Sequence, residues 1–61
     1  KQELWNAVAK LPKLQRNVVM MRIAQELPFK EISAILNTTE SSAKTSYHYA
    51  VKTLKIWLEN E

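Results

Sequence analysis

"ILNTTESSAKTSYHY", residues 35–49, is the stretch on which the fold turns. It runs from apolar residues through a polar patch into a segment carrying lysine and tyrosine. It has no glycine, and neither does the rest of the chain. Leu36 closes one helix. Asn37 tolerates the left-handed backbone that ends helices, second only to glycine in that respect. Thr38 and Thr39 complete the turn. Thr39 suits an N-cap, because its hydroxyl can accept from an amide left unpaired in the next first turn. Glu40 then stands where the helix dipole favours negative charge. Small Ala43 fits a close crossing of two helices. The stretch therefore reads as helix, short turn, helix.

Working outward, the two prolines divide the remaining chain. Pro12 and Pro28 each follow a leucine, in "KLPK" and "ELPF", and proline belongs at a helix start and not in its interior. Residues 2–10 are predicted helical, with Leu4, Trp5, Val8 and Leu11 at helical spacing. Residues 13–26 follow, with Leu14, Val18, Met21 and Ala24 inward and Val19, Met20 and Ile23 widening the apolar surface. Residues 29–36 form a third helix that buries Phe29, Ile32, Ile35 and Leu36. From residue 40, Ala43, Tyr47, Ala50, Leu54 and Trp57 step by four, three, four and three, which marks one stripe of a long fourth helix. Trp57 is expected to cap the small core. No period-2 alternation or hairpin turn persists. The fold class is all-α: four helices with a helix-turn-helix, a winged-helix-like arrangement without the wing, forming one domain over residues 1–61.

Bulk properties set limits. A 61-residue chain buries a modest fraction of its surface and is marginal alone. It has no cysteine and a single histidine, His48, so neither disulfides nor a thiolate or His-rich metal site is available, and no cofactor is expected. The longest apolar run, "VVMM", stops at Arg22, too short to span a membrane, and no signal-peptide pattern is present. A cytoplasmic location is the expectation. Because the chain begins with Lys1, it is expected to be a fragment of a longer protein. Nine Lys/Arg against six Asp/Glu give a net charge of +3, a tilt towards polyanions that ordinary solubility charge also produces.

Charge placement says more than the total. At about 100° per residue, Ser41, Lys44, Thr45, His48, Lys52 and Lys55 fall opposite the buried stripe, on a face read as free of carboxylates. Lysines neutralise phosphates, and hydroxyls near a helix N-terminus can reach base edges in the major groove. A polar face on a terminal helix is also what simple solvation produces. The apolar excess further suggests that part of the surface meets another protein. No nucleophile sits beside a base, no carboxylate pair is evident and no glycine-rich phosphate loop occurs, so the chain is not expected to be an enzyme.

The layout "LPKLQRNVVMMRIAQELPFKEISAILNTTESSAKTSYHYAVKTLK", residues 11–55, resembles region 4 of bacterial sigma factors, most closely the extracytoplasmic-function group. The resemblance rests on "LP" opening the second helix, Arg16 after it, the acidic-apolar "KEISAIL", a turn, and a helix with Lys44 and Thr45 followed by Tyr47, Ala50 and Leu54. It implies a domain that recognises the −35 promoter element as duplex DNA, binds the β flap of RNA polymerase core, and can be occluded by an anti-sigma factor. Carried over by position, Ser41, Ser42, Lys44, Thr45 and His48 face DNA, with Lys52 further along the helix and Arg22 and Lys30 approaching the backbone. Glu26, Asn37 and Ser41 stand where the family often has glycine. Pro28 replaces a common serine cap, and Ser46 and Tyr49 occupy positions often held by arginine. Fewer cations there imply a shallower salt dependence. Two other readings fit the same residues: the helix-turn-helix output domain of a response regulator, and an interaction module that binds polymerase or an anti-sigma factor.

Overall fold

The computed structural model describes residues 2–60. Four helices are present and no strand occurs among the described residues: α1 (Gln2–Ala9), α2 (Lys13–Val19), α3 (Phe29–Ile35) and α4 (Glu40–Glu59). α2 continues into a π turn, Met20–Ala24. α4 packs against each of the other three helices. At about 1.5 Å per residue its twenty residues span about 30 Å, most of the molecule's 34 Å long dimension.

The core has two halves. Ala7, Val8 and Leu11 pack with Val19, Ala50 and Leu54, joining α1 to α2 and α4. Val18, Ile32 and Ala43 form the second half, joining α2, α3 and α4. Tyr47 packs against both, and its ring meets Phe29 edge-on with centroids 5.5 Å apart, a favoured aromatic geometry. Ala43 and Ala50 are fully buried. A larger side chain at either would push α4 off its neighbours, which is why small residues stand at these crossings. Ser33 is also buried, and its hydroxyl donates to the Lys30 carbonyl at 2.8 Å. Its polar group thereby avoids the cost of burial without a partner.

Three expectations need correction. The second helix stays α-helical only to Val19 and ends, as a π turn, at Ala24 instead of 26. A ring closed from i to i+5 holds one residue more than the α turn, so the faces beyond Val19 rotate. Ala24 is exposed instead of inward, and Met20 and Ile23, expected to widen the apolar surface, are exposed too. Leu14, one turn earlier, is exposed as well. Ile35 is 58 % exposed, because α3 turns Phe29, Ile32 and Ser33 towards the interior and Ile35 away from it. Trp57 is exposed and does not close the core. Leu58, the next residue of α4, packs against the core instead, leaving Trp57 at the rim of a groove beside α1.

Candidate nucleic-acid interface

The corner between α3 and α4 sets the direction of the candidate reading helix. α3 ends with Asn37 at φ 55°. The Thr38 amide donates to the Ser33 carbonyl at 2.9 Å, and the Asn37 amide to the Ala34 carbonyl at 3.4 Å. That pair of bonds is the Schellman arrangement, which satisfies carbonyls left open at a helix end. Two residues on, the Thr39 hydroxyl accepts from the Ser42 amide at 2.9 Å, and α4 begins. The turn is thus closed by hydrogen bonds on both sides, and the first residues of α4 start from a fixed frame.

Along α4 the two faces differ completely. Ala43, Ala50 and Leu54 are buried, with Tyr47 partly so. Ser41, Lys44, Thr45, His48, Lys52 and Lys55 all lie exposed, and Ser42 is half-buried beside the cap. His48, Lys52 and Lys55 converge around Val51 on a shallow groove of about 330 Å³. The imidazole of His48 and the ring of Tyr49 stand edge-on, 6.2 Å apart. A second groove, about 460 Å³, lies between α1 and the end of α4, where Glu3 and Lys10 mix opposite charges. Only the α4 groove has a single sign of charge, which suits a polyanion.

The supporting cations behave differently from one another. Lys30 is exposed in the first turn of α3. Arg22 is engaged within the fold: its guanidinium donates to the Leu27 carbonyl at 3.1 Å and lies 4.8 Å from the centre of the Phe29 ring. That geometry combines a charge-assisted hydrogen bond with a cation–π contact. Arg22 therefore braces the corner into α3 while remaining exposed.

The outer face of α4 is not free of carboxylates, contrary to the sequence reading. Glu40 Oε2 lies 3.9 Å from Lys44 Nζ, the one ion pair among the described residues. The signal for it was present in the sequence as Glu followed four residues later by Lys, the favourable orientation of such a pair on a helix.

No helix among the described residues is long and apolar enough to cross a membrane. Comparison with known proteins places this geometry in a family. The family model described as sigma-70, region 4 matches residues 1–54. No curated protein and no solved structure gives a significant match. Region 4 is a helix-turn-helix DNA-binding domain that serves transcription initiation together with RNA polymerase. The chain belongs to the sigma-70 region 4 family.

Proposed function

We propose that the chain reads the −35 promoter element as the C-terminal domain of an extracytoplasmic-function-type sigma factor. α4 enters the major groove with its N-terminal half. Ser41 and Thr45 reach base edges, Ser42 and Lys44 meet the strand beside them, and His48 and Lys52 follow the backbone. Lys30 and Arg22 approach phosphates from the supporting elements. One observation supports this above the rest: the polar face of α4 is exposed along its length while its opposite face is sealed by Ala43, Ala50 and Leu54. Hydroxyls recognise base edges, and amines neutralise phosphates.

The test is fluorescence anisotropy on a duplex that the chain itself enriches from a random pool. Thr45→Ala is expected to relax base preference at one position, and Lys44→Ala to weaken all duplexes while lowering the salt slope by about 1. Unchanged binding across Lys44→Ala, Thr45→Ala and His48→Ala would remove α4 from the role of reader.

A protein-binding role beside this one is favoured by the π turn. Met20 and Ile23 of that turn are each 41 % exposed. We assign that apolar surface to a protein partner, the β flap of polymerase core or an anti-sigma factor. Loss of core-polymerase capture by Met20→Lys and Ile23→Lys, with duplex binding intact, is the expected result.

A further inference from the structure

We infer that Glu40 is a positioning residue for Lys44 and holds down sequence-independent duplex binding. The inference rests on the duplex-reading role proposed above. Glu40 is the first residue of α4, and the Thr39 cap fixes where that helix starts. Its carboxylate lies 3.9 Å from the Lys44 amine, with the two side chains 50 % and 60 % exposed. Both groups therefore stand in solvent at the end of α4 that leads into a groove. His48 and Lys52, further along the same face, have no ion-pair partner among the described residues.

The consequence follows from distance. A helix held off the groove, as in a non-specific encounter, presents Glu40 and Lys44 as a nearly neutral pair, and a neutral pair attracts a line of phosphates weakly. A helix seated in the groove brings Lys44 within contact of a single acceptor. The amine then exchanges Glu40 for that acceptor, and the carboxylate turns back to water. The pair weakens the loose complex more than the seated one. Base contacts from Ser41 and Thr45 consequently weigh more in the choice of site. Electrostatic attraction at long range is left to Lys52 and Lys55.

The test measures duplex affinity by anisotropy across a salt series. Wild type, Glu40→Gln, Glu40→Asp, Lys44→Gln and the Glu40→Gln/Lys44→Gln double variant are each tried on a pool-enriched duplex and a scrambled one. Glu40→Gln is expected to tighten scrambled-duplex binding about 3-fold and to steepen the salt slope by about 0.9. It tightens the enriched duplex less, so the preference between the two narrows. In the Lys44→Gln background the same change has little effect. Glu40→Asp keeps the first-turn charge but is one methylene short of Lys44, and shifts binding in the direction of Glu40→Gln at unchanged helicity. An equal effect of Glu40→Gln with and without Lys44, an unaltered scrambled-duplex affinity, or wild-type binding by Glu40→Asp each overturns the inference. Failure of the wild type to bind any duplex at low salt removes the reading role and this inference together. Duplex binding that ignores Glu40→Gln removes the inference alone.

Discussion

The corners on either side of α3 stop their helices at the same backbone angle, with Glu26 and Asn37 both at φ 55°, yet they are built on opposite principles. At Asn37 the residue suits the conformation. Asparagine visits the left-handed region readily, the Schellman bonds close behind it, and Thr39 caps the next helix. At Glu26 the residue does not suit it, and the surroundings hold it there. The Gln25 amide reaches back five residues to Met20, and the Leu27 amide six to Met21, one residue further than the Schellman bond at Thr38. Arg22 then ties the Leu27 carbonyl from the side. Pro28 provides no side-chain cap, and its carbonyl accepts from both Glu31 and Ile32 at 3.0 Å. One corner is specified by its own residues, and the other is imposed by tertiary contacts. The locally specified corner is the one that aims α4.

The largest expected effect breaks the specified corner. Asn37→Val places a β-branched residue at a positive φ that such residues avoid. We expect a loss of about 2 kcal/mol, read from urea denaturation followed by circular dichroism. Duplex affinity should fall with it, since α4 starts from that turn. A stability unchanged within error would show that the turn can re-form without its left-handed residue.

A smaller effect tests the cap within the same corner. Thr39→Ala leaves the Ser42 amide without its acceptor, and the expected cost is about 1 kcal/mol. Thr39→Ser keeps the oxygen and should restore most of it. The opposite corner has no side-chain cap to lose, so no change at Pro28 can reproduce this pair of results.

The contrast also explains what could be read in advance. The α3–α4 corner was legible because Asn37, Thr38 and Thr39 carry its chemistry in their own side chains. The stripe Ala43, Tyr47, Ala50 and Leu54 was legible because each member meets a neighbour at helical spacing, and these residues are indeed buried or half-buried. The left-handed stop at Glu26 was legible as a departure from glycine. The π turn before it was not. "VVMM" continues into Arg22 with no helix-breaking residue, and the contacts that accompany the wider turn, from Arg22 to Leu27 and the Phe29 ring, involve residues beyond the helix itself. Trp57 is at helical spacing, but its neighbour Leu58 takes the place against the α1 side of the core and leaves Trp57 at the rim. The candidate site was legible as residue types on one helix face. The pairing of Glu40 with Lys44 was carried only by their i, i+4 spacing, since each residue type also suits a separate role, at the helix dipole or on a phosphate.

The smallest expected effect acts on the imposed corner and has the opposite sign. Glu26 has a Cβ in the left-handed region, which costs about 1–2 kcal/mol that glycine would avoid. Glycine also enlarges the unfolded ensemble, which offsets roughly half of that gain. Glu26→Gly should therefore stabilise the chain by about 0.5–1 kcal/mol, measured by the same urea titration. Because Glu26 is exposed and forms no ion pair among the described residues, no other lost contact clouds the sign. Asn37→Gly provides the matched control, with an expected change of only a few tenths of a kcal/mol because asparagine already tolerates the angle. If both glycines stabilise equally, the two corners carry the same strain and the distinction between them fails. If only Glu26→Gly does, the strain resides in the corner held by Arg22 and the π turn, while the corner that directs α4 is already near its best residue.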